Sequence, residues 1–322
     1  MTKTLVKAKK AFRSGAGKVP GERKVEDLLK DGVVIIDKPS GPTSHQVTTW
    51  AKDILGADKA AHGGTLDPRV TGVLPVGVGI SVRAMDVLHY GTKAYVGVMR
   101  MHGNVDRRRL DAVVTEFTDE IYQTPPMRSA VKREQRTRRV HQLRVLEVSG
   151  RDVLFDVECD AGTYIRSLAV DMGDALAAGA HLQDLRRTRA GALTEADAVQ
   201  LHDLKDAMEA HKQGDSSTLA KMLKPMEVLL SQVPMVEIKD SAVDAVCHGA
   251  NVAMPGIVTL DQDIRKGGLV AIISLSGEGV ALGHALMDAD EIMKRAEGFA
   301  VDVSRVFMQP GTYEKGWTTS EE

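Results

Sequence analysis

Cysteine is scarce in this chain: two residues in 322, Cys159 and Cys247, at no spacing that suits a metal or a redox pair. A disulfide framework is excluded, and a reducing compartment is the default. No apolar run reaches the length of a membrane span, and no apolar signal core stands near the start. The GxxxxGK[ST] phosphate loop is missing, GVGIS after Val76 lacks the third glycine of a dinucleotide fingerprint, and no HExxH occurs among ten scattered histidines. Phosphate-loop hydrolysis, dinucleotide redox chemistry and zinc hydrolysis therefore have no carrier, and no cofactor or metal is expected. Aromatic residues make up only 4% of the chain, so any stacking surface rests on single residues such as Tyr95.

Charge of one sign is also lacking, with a net of −2, but its distribution is uneven. Between Arg128 and Arg151 stand Arg128, Lys132, Arg133, Arg136, Arg138, Arg139, Arg144 and Arg151 against only Glu134 and Glu147. Arg107-Arg108-Arg109 and the Arg186, Arg187, Arg189 set in LRRTRAG repeat the habit. One such cluster reads as a solvated face. Three arginine clusters in a near-neutral chain point to a polyanion groove, because guanidinium suits phosphate in a way a lysine fringe does not. The first 21 residues carry six cations and no acid. They read either as a transit peptide or as a flexible basic arm resting on nucleic acid.

Local patterns divide the chain into a basic arm (1–31), a large domain (32–233), a small all-β unit (234–308) and a frayed tail (309–322). GVVIIDKPSG predicts a buried strand ending in a turn at Lys38-Pro39. In GPTSHQVTTWAKDILGA, Thr43 and Gln46 have capping-box spacing. Val47, Trp50, Ala51, Ile54 and Leu55 line one helical face, and Gly56 ends the helix. VTGVLPVGVG should be buried, and KAYVGVM is β-rich. Around 122–140 PPMRSAVKREQRTRRV has no period and opens on Pro125-Pro126, which predicts a long loop. Val153, Phe155, Val157 and Cys159 alternate with acids as in a half-buried strand, and TYIRSLAVDMGDAL predicts a helix with Arg166 in its first turn.

HGGTLDPRVTG, at 62–72, frames one acid between glycines and a proline. By spacing alone Asp67 reads as an Asp-Pro turn; as chemistry it reads as a reaction centre. Tyr95 is either strand packing or a base-stacking face, and His62 is either a ligand or base, or a hydrogen-bonded structural residue. Arg166 sits where the positive end of a helix dipole disfavours a cation, which suggests a carboxylate partner close by.

HGGTLDPRVTGVLPV, KAYV, PPMRSAVKR, RTRRV, GTYIRSL, LRRTRAG and HGANVAMPGI, in this order, resemble the dyskerin-type pseudouridine synthases, the enzyme subunits of archaeal and eukaryotic H/ACA guide-RNA particles. The resemblance runs from about Gly32 to Met308. It implies an α+β synthase fold, a mainly antiparallel mixed sheet flanked by helices, followed by a small all-β PUA pseudo-barrel that binds RNA. It implies that Asp67 is the catalytic carboxylate, Arg166 its partner, Tyr95 the face against the uracil and Leu185 a pocket wall. His62 would flank the opened base, and Lys38-Pro39 would form a turn at the rim. The 122–140 stretch becomes a thumb loop whose Arg128, Lys132, Arg133, Arg136, Arg138 and Arg139 clamp RNA, and His248, Gly249 and Ala250 become the RNA contact of the PUA module. The partners implied are a guide RNA, an rRNA or tRNA substrate and the small accessory proteins of the particle, with no membrane. The location implied is cytoplasmic for an archaeal chain and nucleolar for a eukaryotic one. A stand-alone tRNA synthase of the same family and a non-catalytic RNA scaffold are the competing readings, the latter having no need of an acid at 67. The chain departs from the family at the isoleucine of GVVIIDKP, at RAGAL, at GVGISVR and at the extra HKQGDSS.

Overall fold

Residues 3–8, 11, 13–125 and 134–315 are described by the computed structural model. Four consecutive apolar residues, Val33 to Ile36, cannot alternate between core and water, and the Val33–Lys38 strand is accordingly buried on both faces. It lies in a sheet of ten strands among the described residues. The main path runs Leu223–Lys224, Val33–Lys38, Thr71–Val78, Ala180–Ala190, Lys93–Met101, Asp152–Cys159, Arg136–Ser149, Glu120–Gln123. Every neighbouring pair on that path is antiparallel except Thr71–Val78 with Ala180–Ala190, which run parallel through two register positions, Thr71 with Arg186 and Gly72 with Arg187. Two antiparallel halves thus meet at a narrow parallel seam, and the seam lies just past Asp67.

Gly72 makes that seam possible. Its φ is 100°, and a Cβ there would stand 2.2 Å from the Arg187 carbonyl oxygen. Gly72→Ala should therefore lower folding stability by at least about 3 kcal/mol, from backbone strain plus a clash between two backbones that cannot yield. Denaturant unfolding checks this; a loss under about 1 kcal/mol would mean the seam can open without cost.

Helix Ser44–Leu55 starts on the full reciprocal box: the Gln46 N–H donates to Thr43 Oγ1 (3.1 Å) and the Thr43 N–H to Gln46 Oε1 (2.8 Å). Gly56 ends it at a left-handed φ of 63°. Its buried face is Ser44, Val47, Thr48, Ala51 and Leu55, while Trp50, expected inside, is 46% exposed. Two hydroxyl residues take the interior instead. Thr48 satisfies its own hydroxyl by donating to the Ser44 carbonyl, and Ser44 is needed at the loop described below.

Helices Arg107–Glu116 and Ile165–Ala175 cover the other half of the sheet, contributing Leu110, Val113, Ile165, Leu168, Ala169 and Met172 to its core. Strand Asp152–Cys159 shows the expected alternation, with Val153, Phe155, Val157 and Cys159 buried. The loop expected over 122–140 is shorter than its composition suggested. Residues 136–139 already pair with Glu120–Gln123, so RTRR is strand, its period of two hidden by the density of arginine.

The C-terminal module contributes six strands to a seven-stranded sheet, with two short helices, Asp240–Cys247 and Ala289–Lys294, that its texture did not announce. Gly277 turns the antiparallel hairpin of Leu269–Ser274 with Gly279–Ala285, while Met235–Ile238 lies between Ile257–Asp261 and Leu269–Ser274. The basic N-terminal segment is no free arm. Thr4–Val6 adds a strand to Ile257–Asp261, Lys7 Nζ donates to the carbonyls of Ile292 and Arg295 at the end of a helix, and Arg23 forks onto Glu227 (2.9 and 2.7 Å). Part of the tail expected to fray is also fixed: Tyr313 is 2% exposed and donates to Glu278 (2.7 Å). The module packs on the large domain through one shared cluster in which Val33, Ile35 and Val73 meet Leu230, Ala271, Leu282 and Phe307.

Candidate active site

Asp67 lies on the loop between strands Ala60–His62 and Thr71–Val78, and its backbone is pinned on both sides. Before it, buried Ser44 Oγ accepts from the Leu66 N–H (2.8 Å) and donates to the Leu66 carbonyl (2.9 Å). After it, Lys38 Nζ donates to the carbonyls of Pro39 (2.8 Å), Pro68 (2.9 Å) and Val70 (2.9 Å). The Gly41 N–H also reaches the Pro68 carbonyl, and the Val70 N–H closes a turn on the Asp67 carbonyl. Lys38 is fully buried, burial lowers its pKa, and all three of its protons are committed. It therefore clamps the loop from beneath, where the resemblance implied a rim contact with substrate.

Arg166 reaches Asp67 from the other half of the sheet and forms an ion pair with it. That pair resolves the cation at a helix start. The helix itself is fixed by Gln123, only 4% exposed, whose amide accepts from the Tyr164 N–H (2.9 Å) and donates to the Tyr164 carbonyl (3.1 Å). The Asp67 and Arg166 side chains are 53% and 59% exposed, so the pair contributes little to stability and stands open to a ligand.

Leu66 and Val70, on either side of Asp67, share one core cluster with Ile165, Leu185 and Tyr95. Tyr95 is half-buried, paired in register with Val157 on one side and Arg187 on the other; burial raises the pKa of its phenol. Leu185 is buried opposite Gly97 and fills the space a Cβ there would need. His62 stands edge-on to His45, with ring centroids 6.0 Å apart, beside a cleft of about 290 Å³ that also takes in Thr48, Thr49 and Lys52. Burial, then His45 and Arg187, lower its pKa, and its buried Nδ1 has no hydrogen-bond partner. Gly63 admits Leu88, whose methyl would lie 2.0 Å from a Cβ.

The arginine clusters divide. Arg128, Lys132 and Arg133 lie outside the described residues. Arg136, Arg138 and Arg139 stand on a strand, with Arg138 against Gly162 and Arg139 3.5 Å from Asp119. The LRRTRAG set turns inward: Arg186 forks onto Asp37 (2.9 and 3.1 Å), Arg187 is 1% exposed, and Arg189 meets Glu158 (2.7 Å). All three are engaged within the fold, Arg187 entirely and Arg186 and Arg189 through acid partners. His248, Gly249 and Ala250 form an exposed turn after helix Asp240–Cys247, where Gly249 has open space around it.

Family descriptions match the chain in succession: a DKCLD domain over 1–48, the N-terminal domain of TruB family pseudouridylate synthase over 52–165, the tRNA pseudouridylate synthase B C-terminal domain over 166–231, and a PUA domain over 234–307. The chain is 50% identical over 299 residues to the "Probable tRNA pseudouridine synthase B" of Methanopyrus kandleri, covering 92% of this chain and 88% of that protein. Against the protein so described from Methanocaldococcus jannaschii it is 51% identical over 299 residues, covering 92% and 89%. The chain belongs to the TruB family of pseudouridylate synthases.

This TruB-family synthase is also similar in structure to a chain in the crystal structure of a Cbf5-Nop10-Gar1 complex, with a TM-score of 0.95, 47% identity and coverage of 98% and 97%. It matches a chain in an H/ACA RNP bound to a substrate RNA containing 2'-deoxyuridine at a TM-score of 0.92 and 44% identity, covering 98% of each. Within the synthase, reasoning from sequence missed the residues that hold the Asp67 loop, Ser44 and Arg187, and the one that holds the Arg166 helix, Gln123. The one available signal was compositional. Each is a polar residue standing among residues that bury, and a polar side chain at such a place must find partners inside.

Proposed function

We propose that the chain isomerises uridine to pseudouridine at chosen sites in RNA, with Asp67 as the catalytic carboxylate acting on a flipped-out nucleoside. The observation that carries this reading is the Asp67–Arg166 pair, open to solvent while the backbone of its loop is held by Ser44 and Lys38. A carboxylate held this way can attack C1′ or take the C2′ proton when a nucleoside is taken out of its stack. Tyr95 is the face for the uracil, Leu185 the wall and His62 a neutral neighbour of the opened base. Arg128, Lys132, Arg133, Arg136, Arg138 and Arg139 contact RNA at the thumb, and His248, Gly249 and Ala250 at the PUA module.

The choice of uridine is delegated to a guide RNA, and small accessory proteins complete the particle, as an archaeal-type cytoplasmic assembly. Support comes from the likeness over nearly the whole chain to proteins solved in a Cbf5-Nop10-Gar1 complex and in an H/ACA RNP. The relatives described as tRNA pseudouridine synthase B favour a second reading, direct action on tRNA. Reconstitution separates the two. With guide RNA and accessory proteins, conversion should follow the guide pairing and move when the guide is changed. Conversion of a tRNA stem-loop by the isolated chain at the same rate would replace the guide-directed reading with the second one.

A further inference from the structure

Behind Tyr95 the synthase buries two cations that pair with no carboxylate among the described residues. Arg187 gives Nε to the Val73 carbonyl (2.7 Å) and Nη2 to the Gly64 carbonyl (3.1 Å), and its guanidinium lies against the Tyr95 phenol. Lys93, 4% exposed, sits two residues before Tyr95 on the same strand and the same face, and donates Nζ to the carbonyls of Leu88 (2.7 Å) and Gly91 (3.0 Å). Their neighbours behave differently: Arg186 ends on Asp37 and Glu195, and Arg189 on Glu158.

A buried cation satisfied only by carbonyl dipoles is a costly arrangement, and two of them stand within one another's field. Burial, and then the charge of Arg187, bring the pKa of Lys93 down to about 8, which still leaves it charged at neutral pH. The nearest catalytic acid does not offset them, since Asp67 already faces Arg166. A site with this surplus of positive charge, set in low dielectric, is built for an anion that is present only part of the time.

We infer that Arg187 and Lys93 stabilise the uracil ring as an anion after it leaves the sugar, acting as positioning and electrostatic residues through Tyr95 and the strands beneath it. The inference rests on the uridine isomerisation proposed above. In that step the N1–C1′ bond breaks and its electron pair stays on the ring, spread over N1, C5 and the two carbonyl oxygens. Asp67 meets the deficiency at C1′, either by forming an ester or by taking the C2′ proton, which it later returns. The ring turns, C5 bonds to C1′, and the proton on C5 is lost while N1 gains one, so no atom or electron is gained overall. The interval between the two bonds is when the cations matter. The carboxylate alone offers the departing ring no positive charge.

The test compares uridine with 5-fluorouridine at the target position, because fluorine stabilises the ring anion by itself; its C5 has no proton to lose, so the rate scored on both substrates is breakage of the N1–C1′ bond. Single-turnover rates at saturating RNA are measured in the assembly that supports parent activity. Lys93→Met should keep RNA affinity and slow the uridine reaction on the order of 100-fold, with a loss about tenfold smaller for 5-fluorouridine, and Lys93→Arg should recover most of the rate. Arg187→Gln against Arg187→Lys repeats the comparison on the other cation and carries the test should Lys93→Met fail to fold. Equal losses on both substrates, or no loss, would overturn the inference. A parent that converts no uridine would overturn the reading beneath it as well. An active parent with an inert Asp67→Asn variant and equal losses at Lys93 would leave that reading standing and sink only this inference.

Discussion

Asp67→Asn is expected to slow pseudouridine formation by about four orders of magnitude or more, the scale on which removal of a reacting group acts. RNA affinity should stay within about threefold of the parent, because most contacts with RNA are made to its backbone at a distance from the reacting carbon. The change isolates the charge. Asparagine has nearly the size of aspartate and still accepts from Arg166. The loop beneath it is held by Ser44 and Lys38 through backbone atoms that the substitution leaves in place. Gel-shift titration and mass-spectrometric scoring of the product, done on one preparation, check both halves. A variant that binds and still converts uridine at a comparable rate would remove Asp67 from the chemistry.

Lys38→Met should be the most damaging single change beneath the loop. Methionine matches the length and fills the same buried channel, so the change removes hydrogen bonds and charge with little loss of volume. The Pro39 and Val70 carbonyls lose the Lys38 donor and Pro68 keeps only the Gly41 N–H; each carbonyl left without a donor costs about 1–3 kcal/mol, partly offset because a buried cation no longer needs to be desolvated. A net destabilisation of about 3 kcal/mol is expected by denaturant unfolding. Turnover should fall while RNA affinity holds, since Pro68 and Val70 would be free to shift and carry Asp67 with them. Unchanged turnover in the folded variant would show that the loop keeps its geometry without the clamp.

Whatever depends on neighbours along the chain was legible. The capping box at Thr43, the alternation over Asp152–Cys159, the Asp67 loop and the helix carrying Arg166 all express periods or turn chemistry confined to a few residues. Arg166 shows how far such reasoning reaches. A cation misplaced on a helix dipole demanded an acid, and Asp67, 99 positions earlier by number, is that acid. What depends on distant partners was not legible. Arg186 looked like a phosphate ligand because nothing in LRRTRAG reveals Asp37, 149 residues away. Lys38 was placed at the rim by the family resemblance alone, and only the fold brings the Pro68 and Val70 carbonyls over its ammonium. Trp50 was placed inside by its spacing among apolar neighbours, whereas Ser44 and Thr48, whose hydroxyls have partners there, share the interior of that helix with Val47, Ala51 and Leu55. The N-terminal cations read as an arm because the edge strand they dock beside, Ile257–Asp261, lies far along the sequence.

The central claim is that a carboxylate, its arginine and a tyrosine face converge on one everted uridine. A structure of the full chain with guide and substrate RNA, stalled by a target nucleotide that cannot complete the reaction, tests it most directly. The Asp67 carboxylate should lie in contact with C1′ or C2′ of the target ribose, with the base against the Tyr95 ring and Leu185. A target nucleotide seated elsewhere, with Asp67 paired only to Arg166 and no ribose beside it, would contradict the account.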